Sequence, residues 1–254
     1  MNIIGIIPAR MASSRFPGKP MKLIYKIPMI GHCYLRSRLS KLLTKLYVAT
    51  PDKEIYNYIL SIGGQAIMTS HKHIMCNDRV FEAVDKIENK LKSKNQIIVN
   101  IQGDLPIIYP DMIDSLIMPL IKNKNIQSTT MIDEVQNNIE FNDPNRVKVV
   151  FDKNKDVILL TREAIPSNFK FKYKYKKYKH VAIRAYKRSI FDRIKKLKIT
   201  PIEKIEGIDD LRLIENGIQI RIVLTKRITE TVDTLRDLKK VTKMMKLDKL
   251  RHSY

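Results

Sequence analysis

The strongest constraint on this chain is its first stretch, residues 2–21, in which a short apolar segment runs directly into a basic loop. Isoleucine dominates residues 3–7, and an apolar run of this length, bounded by turn residues, is typical of a buried strand. The loop that follows carries Arg10, Arg15 and Lys19. Ligands of open α/β sheets bind beyond the carboxyl ends of the strands, where this loop is expected. Three cations there favour a polyphosphate ligand, with an ordinary basic surface turn as the alternative.

Strand and helix patterns alternate along the chain after this loop. Short apolar runs at residues 46–49 and 65–68 alternate with amphipathic segments at 29–43 and 52–62. This spacing predicts an α/β fold with a doubly wound, mostly parallel, Rossmann-like sheet. Later strands are expected at 97–101, 128–132, 147–151, 157–160 and 219–223. Later helices are expected from Arg79 onward, with Val80, Val84 and Ile87 on one side, and at 111–122, 200–217 and 234–245.

Composition excludes several classes of protein. The 254 residues are 44% hydrophobic, which is enough for a sizeable core. No apolar run approaches the roughly 18 residues that a membrane helix needs, and no signal-like segment precedes the first strand. We therefore expect a cytoplasmic protein with no membrane partner. Cys33 and Cys76 are too few for a disulfide framework, so two reduced thiols are expected.

The formal net charge of +22 raises the hypothesis of a nucleic-acid or anionic-membrane partner. Lysines are spread over the whole chain, and an AT-rich genome biases composition the same way. Residues 169–180 alternate aromatic and lysine side chains, which fits a lysine-guarded edge strand, a flap over an anionic site or a surface for single-stranded nucleic acid. No zinc-finger spacing, RNP-like motif or basic zipper accompanies them, so we do not expect nucleic acid to be the main partner.

Residues 6–21, IIPARMASSRFPGKPM, resemble the signature of the sugar-acid cytidylyltransferases, in particular the 3-deoxy-D-manno-octulosonate (Kdo) cytidylyltransferases. The family pattern is I-P-A-R, two variable positions, Ser, then Ser or Thr, Arg, Leu or Phe, P-G-K, and Pro or Met. Every position of it is met. The resemblance implies that Lys19 is catalytic and that this loop binds a nucleotide. The nucleotide-binding residues implied here are Arg10, Ser13, Ser14, Arg15 and Lys19.

Two further motifs supply aspartates. IQGDLP resembles the family's V-Q-G-D-E-P and TVDT resembles its G-V-D-T, whose aspartates are magnesium ligands. The resemblance implies that Asp104 and Asp233 are catalytic and hold Mg²⁺, and that Gln102 contacts the nucleotide. From the residues alone, a carboxylate that follows a strand and faces the basic loop can hold a divalent cation, with a cap or turn aspartate as the alternative. Leu105 departs from the family's acidic residue.

The loop over residues 69–79 resembles the family's nucleotide-pocket segment H-x-S-G-T-x-R. His73 and Arg79 match it, whereas residues 75–77 replace the Ser, Gly and Thr. The resemblance implies a nucleotide-binding role for Arg79. A surface arginine at the start of a helix is the alternative.

Three segments resemble the sugar side of the family: TREAIP at 161–166, HVAIRAY at 180–186, and TPIEKIEGIDDLRLIENG at 200–217. The sugar-binding residues that the resemblance implies are Arg162, His180, Tyr186, Glu203, Glu206 and Asp210. Arg184 replaces a family Tyr and is a further candidate for the sugar carboxylate. Asp210 replaces a family Gln, which adds a negative charge that can pair with an amine, and Ala182 replaces a Gly.

The resemblance implies Mg²⁺-dependent transfer of CMP from CTP to the anomeric hydroxyl of Kdo or a related 2-keto-3-deoxy sugar acid, with release of pyrophosphate, for lipopolysaccharide or surface polysaccharide synthesis. It also implies a homodimer and one nucleotidyltransferase domain over residues 1–254, with an excursion at about 140–200 for dimer contact and the sugar site. A modified, amino-bearing Kdo or another ulosonic acid is the alternative substrate. A catalytically weak, nucleotide-binding regulator and a nucleic-acid-binding module are the alternatives from other classes.

Overall fold

The structure is a computed structural model that describes residues 1–13, 15–167, 169–170 and 175–254. Its strands are β1 (Ile3–Pro8), β2 (Leu23–Ile24), β3 (Ile27–Pro28), β4 (Lys45–Thr50), β5 (Ala66–Met68), β6 (Ile97–Asn100), β7 (Ser128–Glu134), β8 (Lys148–Phe151), β9 (Val157–Thr161), β10 (Tyr178–Lys187) and β11 (Arg221–Leu224). Its α-helices are α1 (Met29–Ser37), α2 (Lys53–Ser61), α3 (Cys76–Leu91), α4 (Pro110–Lys122), α5 (Asn138–Asn142), α6 (Arg188–Ile194), α7 (Pro201–Glu206), α8 (Leu211–Glu215) and α9 (Leu235–Lys246). Ser14 lies outside the described residues, as does the 171–174 part of the aromatic and lysine-rich stretch.

The main path of the large sheet runs in the order β11-β7-β10-β6-β1-β4-β5. β1 pairs in parallel with β4 and β6, and the pairs β4–β5 and β11–β7 are also parallel. β10 runs antiparallel to both of its neighbours, β6 and β7. β8 and β9 extend the sheet as an antiparallel pair beside β10. The prediction of a mostly parallel α/β sheet is confirmed.

β1 shows why the sheet is covered on both faces. Alternate side chains of a strand point to opposite faces, and all of residues 3–8 are buried. Ile3 and Ile7 belong to the core that packs under α1, α4 and α9, whereas Ile4 and Ile6 belong to the core under α3 and α6. None of the helices in the described ranges is long and apolar enough to cross a membrane.

The first helix is shorter than its sequence predicts. The apolar periodicity predicts a helix to residue 43, but α1 ends at Ser37. The carboxylate of Asp114, on α4, accepts hydrogen bonds from the Ser40 hydroxyl (2.6 Å) and from the backbone N–H groups of Lys41 (3.2 Å) and Leu42 (3.1 Å). A partner distant in sequence therefore takes the N–H groups that a longer helix would use internally.

The segment over residues 200–217 forms two short helices instead of one. Gly207 adopts a left-handed conformation, with φ of 64°, and its N–H donates to the Glu203 carbonyl, which ends α7. The chain resumes helical structure in α8 at Leu211. Asp209 and Asp210 lie in the break between the helices and are both buried. The break therefore directs two carboxylates into the protein.

β10 carries an irregularity close to the carboxyl end of β6. Its register against β7 shifts between His180 and Arg184, and Ala182 lies at φ of 58°. The left-handed region costs a residue with a side chain roughly 1–2 kcal/mol. The resembling family pattern has Gly at position 182. This strand therefore has an alanine in a left-handed backbone conformation that favours glycine.

We expect Ala182→Gly to raise the free energy of unfolding by about 0.5–1 kcal/mol, because relief of the left-handed strain exceeds the extra chain entropy of the unfolded state. Denaturant unfolding of the purified variant measures this change. The matched control is Ala185→Gly in the regular part of the same strand, which should lower the free energy of unfolding by about 1 kcal/mol. Equal losses in the two variants would contradict the account of strain at Ala182.

Candidate active site

Two cavities of about 260 and about 130 Å³ adjoin at the carboxyl ends of β1 and β6. They share Arg15, Gln102, Asp104 and Asp233 in their walls. The first cavity is otherwise lined by the basic loop after β1 and the beginning of α3, and the second by residues of the loop before β8 and of β10. The described residues predicted to bind nucleotide all line the first cavity: Arg10, Ser13, Arg15, Lys19, Arg79 and Gln102.

The centre of the site is the ammonium group of Lys19. Its Nζ donates to Asp104 Oδ2 at 2.8 Å, to Asp233 Oδ1 at 3.2 Å and to the Val232 carbonyl at 2.9 Å. Burial lowers the pKa of Lys19, but the two carboxylates outweigh burial, so its pKa is raised above the ordinary value of 10.5. Lys19 is therefore a permanent cation between two carboxylates from distant parts of the chain.

Backbone contacts bring the two aspartates together. The Val232 N–H donates to the Asp104 carbonyl at 2.9 Å, which ties the segment before α9 to the end of β6. Gly103 allows the chain to pass close to β1, since a Cβ there would lie 2.8 Å from the Pro8 carbonyl oxygen. Gly103 and Asp104 thus place a carboxylate at the carboxyl ends of β1 and β6.

Asp104 and Asp233 form a donor set that fits a divalent cation. In the described part of the chain, no group of three or more His, Cys, Asp or Glu side chains is arranged to hold a metal ion. Magnesium, however, commonly uses one or two protein carboxylates and completes its shell with substrate phosphates and water. The two carboxylates therefore suit a metal ion that binds together with a polyphosphate.

Arg15 connects the basic loop to both cavities. Its guanidinium donates to Asp233 Oδ1 at 2.9 Å and to Asn145 Oδ1 at 2.5 Å. The loop itself is held by Asp52, whose Oδ2 accepts the Met11 N–H at 2.8 Å. Asp52 is the residue directly before α2, but its side chain makes no capping hydrogen bond. It holds the basic loop instead.

Arg79 closes the far wall of the first cavity and is 3% exposed, so it is not a free surface arginine. Its guanidinium donates to Thr69 Oγ1 at 2.6 Å and to the carbonyls of Ser70 and His73. Burial, and then the charge of Arg10, lowers the pKa of Arg79. The two arginines and Lys19 give this cavity the positive charge that a polyphosphate requires.

Cys76, the first residue of α3, also lines this wall. Gln102 Nε2 donates to its Sγ at 3.2 Å. Burial, and then Asp209, raises the pKa of Cys76 to about 12, so the thiol stays neutral. Cys76 thus contributes a small, uncharged surface to the first cavity.

Two of the predicted sugar-binding residues line the second cavity: Arg162 and His180. Arg162 donates from Nε to the Glu206 carbonyl at 2.7 Å and from Nη1 to the Pro144 carbonyl at 2.9 Å. His180 is held from Nε2 by Thr130 Oγ1 at 2.6 Å. Burial lowers the pKa of His180, although the neighbouring Asp210 opposes the shift.

The structure does not bring the other four predicted sugar-binding residues to either cavity. Tyr186 is 2% exposed and packs in the core beside Phe191. Glu203 is fully buried and accepts hydrogen bonds from Arg212, the shortest of 2.6 Å. Both side chains are buried away from the cavities, so a direct contact with a sugar is no longer expected, and the Tyr186 hydroxyl has no hydrogen-bond partner among the described residues.

Glu206 and Asp210 act on the cavity through other residues. Glu206 accepts from the Arg162 N–H at 3.0 Å and so supports a residue that lines the second cavity. Asp210 forms an ion pair with Arg184 Nε at 2.7 Å, and its Oδ2 lies 3.2 Å from His180 Nε2. Because Asp210 is 1% exposed and already paired, the expectation that it pairs with a substrate amine is withdrawn, as is a direct carboxylate contact for the buried Arg184.

Several residues of the second cavity were not singled out from the sequence: Asn145, Arg146, Lys179, Thr229 and Thr231. Arg146 Nη1 donates to Thr231 Oγ1 at 2.7 Å, and Arg146 also pairs with Glu230. It lies directly before the strand expected at residues 147–151, and only that strand was predicted there.

The pairing of Asp210 predicts a pH dependence of stability. Burial alone raises its pKa, but Arg184 and then His180 outweigh burial and lower it from 3.8 to about 2. The carboxylate therefore stabilises the fold fully above about pH 4, and this stability is lost as the pH falls toward about 2. In Asp210→Asn, the free energy of unfolding should fall less steeply over this window, by up to ~1.4 kcal/mol per pH unit. Urea unfolding at a series of pH values measures both slopes, and equal slopes would contradict the assignment.

Comparison with known proteins gives one consistent family. A family model described as cytidylyltransferase matches residues 4–228. The 3-deoxy-manno-octulosonate cytidylyltransferase of Thermodesulfovibrio yellowstonii is 40% identical over 252 residues, which cover 96% of this chain and 98% of the relative. The 8-amino-3,8-dideoxy-manno-octulosonate cytidylyltransferase of Shewanella pealeana is 35% identical over 240 residues, with coverage of 94% and 96%.

A solved structure agrees with these relatives. The structure of CMP:2-keto-3-deoxy-manno-octonic acid synthetase complexed with CTP matches with a TM-score of 0.87 at 32% identity, covering 97% of this chain and 99% of that chain. Sequence and fold similarity thus extend over the central sheet and over both cavities. The chain belongs to the family of 3-deoxy-manno-octulosonate cytidylyltransferases, and it is a nucleotidyltransferase.

Proposed function

We propose that this enzyme activates Kdo with CTP to give CMP-Kdo and pyrophosphate, with Mg²⁺ as its cofactor. The observation that carries this proposal is the position of Lys19, Asp104 and Asp233 at the wall between two cavities. A nucleotidyl transfer needs a polyphosphate on one side of the reacting phosphorus and a nucleophile on the other. Two adjoining cavities that share charged residues meet that requirement.

The first cavity takes CTP in this proposal. Arg10, Arg15 and Lys19 neutralise the triphosphate and the departing pyrophosphate, since several fixed cations stabilise the charge that a polyphosphate carries. The CTP-bound relative supports the choice of nucleotide. Two further residues contact the nucleotide in this proposal. Arg79 lines only the first cavity, and Gln102 lines both cavities. The predicted contact from Ser14 lies outside the described residues.

Asp104 and Asp233 would hold the magnesium ion against the triphosphate. When bound there, the ion supplies charge neutralisation and polarises the phosphate under attack, which also makes a nearby hydroxyl easier to deprotonate. Lys19 bridges the same two carboxylates in this structure. We expect its ammonium group to contact the phosphate oxygens when the triphosphate binds. This places all three residues in the catalytic machinery.

The second cavity takes the sugar acid. Arg146, Arg162 and Lys179 supply positive charge around it, and His180 supplies an imidazole. A carboxylate substrate gains most from such a set of donors. Asp104 and Asp233, the acidic residues of this wall, are paired with Lys19, and Arg146 and Lys179 are likewise paired with Glu230 and Asp133. Among the described residues, the Arg162 guanidinium donates to carbonyl oxygens only, so it keeps its positive charge for a substrate carboxylate. The surroundings therefore favour an acidic sugar over one that also carries a protonated amine.

The remaining features of the proposal rest on the family resemblance alone. They are a homodimer, a role in lipopolysaccharide or surface polysaccharide synthesis, a cytoplasmic location, and a single nucleotidyltransferase domain with an excursion over about 140–200 for dimer contact and the sugar site.

Asp104→Asn and Asp233→Asn should each reduce Mg²⁺-dependent release of pyrophosphate by about a hundredfold or more, because each removes a charged metal ligand worth several kcal/mol in the transition state. A coupled pyrophosphate assay with CTP and Kdo measures the loss. The matched control is Asp111→Asn, whose exposed carboxylate pairs with Arg227 at the surface and should leave turnover unchanged. Full activity in either site variant would exclude its metal role.

Substrate choice is tested by supplying CTP, Mg²⁺ and a panel of Kdo, 8-amino-3,8-dideoxy-Kdo and N-acetylneuraminate. We expect kcat/KM for Kdo to exceed that for the amino sugar by about tenfold, equivalent to ~1.4 kcal/mol, because the second cavity is lined by cations. Mass spectrometry identifies each CMP product. A preference for the amino sugar would show that the charge of the second cavity does not determine the substrate.

A further inference from the structure

A buried guanidinium that lines neither cavity contacts carboxylates connected to both. Arg184, on β10, is 4% exposed. Its Nε lies 2.7 Å from Asp210 Oδ1, and its Nη1 lies 3.4 Å from Asp209 Oδ2. One arginine thus holds both carboxylates that the break between α7 and α8 directs inward. Burial opposes its charge, but Asp210 and then the other acidic neighbours raise the pKa of Arg184, so it stays protonated.

One carboxylate leads to the second cavity. Asp210 Oδ2 lies 3.2 Å from Nε2 of His180, a residue that lines that cavity and whose side chain is 2% exposed. The only polar side chain that also contacts this nitrogen, among the described residues, is Thr130, at 2.6 Å. Because Arg184 fixes Asp210, and Asp210 faces the imidazole, Arg184 sets the position of the His180 ring without touching it.

The other carboxylate leads to the first cavity. Asp209 Oδ2 accepts the backbone N–H of Asn77 at 2.9 Å, in the first turn of α3. A carboxylate is favourable there because the N–H groups of a first helical turn lack partners within the helix. Cys76, in the same turn, lines the first cavity and accepts from Gln102. Arg184 therefore also anchors the wall of the first cavity.

The two substitutions that create this cluster are matched to each other. Arg184 stands where the resembling family pattern has Tyr, and Asp210 stands where it has Gln. The structure places these two exchanged residues in contact, so the new positive charge offsets the new negative charge. A buried ion pair seldom adds stability compared with uncharged residues, because removing both charges from water costs several kcal/mol. The Arg184–Asp210 ion pair is therefore not explained by added stability, whereas positioning of the cavity walls would explain it.

We propose that Arg184 is a positioning residue that holds both substrate cavities, acting through Asp210 on His180 and through Asp209 on the first turn of α3. The proposal rests on the proposed function, which assigns CTP to the first cavity and Kdo to the second. Loss of Arg184 then weakens binding of both substrates, although it touches neither.

Three variants test this role. Arg184→Met removes the shared cation. Arg184→Met combined with Asp210→Asn also removes one of the carboxylates left without a partner, so it restores much of the stability. Arg36→Met is the matched control, because Arg36 is equally buried and pairs with Asp248 beside the C-terminal segment, away from both cavities. The measurements are kcat, the KM values for CTP and Kdo, and the thermal unfolding midpoint.

In Arg184→Met, both KM values should rise roughly tenfold, within the range usual for coupling between sites. The double variant should recover most of the unfolding midpoint while KM for Kdo stays raised, since His180 still lacks its partner. Arg36→Met should lower the midpoint and leave both KM values unchanged. Wild-type KM values in the double variant, or a change in only one of them in Arg184→Met, would overturn the proposal. If Arg184→Met does not fold, the double variant decides.

A second readout separates this proposal from the proposed function. The imidazole nitrogens of His180 are observable by NMR in the enzyme without substrates, and the chain contains only five histidines. We expect the Nε2 signal of His180 to shift in the double variant and to stay in place in Arg36→Met. If wild-type enzyme makes no CMP-sugar but this shift occurs, the proposed function fails and the positioning of His180 by Arg184 and Asp210 stands. An unchanged His180 signal overturns the positioning role.

Discussion

The ammonium group of Lys19 is the contact on which the rest of the site depends. It joins the basic loop after β1, the end of β6 and the segment before α9, because its three hydrogen bonds reach Asp104, Val232 and Asp233. The Lys19 and Asp233 side chains are only 13% and 12% exposed, so their attraction is weakly screened by water. Removal of Lys19 takes away the ion pair that Asp104 makes here, whereas Asp233 keeps its ion pair with Arg15. The same contact therefore orders the three chain segments that hold the metal ion and the triphosphate in the proposed function.

The fold and the centre of the site were predictable from sequence because both follow from local patterns. Apolar strands alternating with amphipathic helices specify the parallel sheet, and the carboxyl ends of parallel strands meet at one edge. Lys19 and Asp104 follow two neighbouring strands of that sheet, so their proximity follows from the topology. Asp233 could be placed beside them only through the family resemblance, because it precedes a helix at the far end of the chain.

The sequence predictions that were wrong share a physical cause. Contacts with residues distant in sequence override the local pattern. α1 ends early because Asp114 takes the N–H groups that would continue it. Glu203 shares a helical face with Glu206, yet its charge is satisfied by the buried Arg212 and never reaches the cavity. Periodicity shows which residues share a face, but not which neighbour that face meets. Asp210 and Arg184 could not be paired from sequence for the same reason, since each looks like an isolated exchange until the break at Gly207 brings them together.

The most direct test of the account is a crystal structure of the enzyme with CTP and Mn²⁺ in place of Mg²⁺, because anomalous scattering locates manganese without assumptions about the ligands. We expect a manganese peak bound by the carboxylates of both Asp104 and Asp233 and by phosphate oxygens of CTP, with Lys19 turned toward the triphosphate. A manganese ion bound away from these two carboxylates, or a triphosphate out of reach of Arg15 and Lys19, would contradict it.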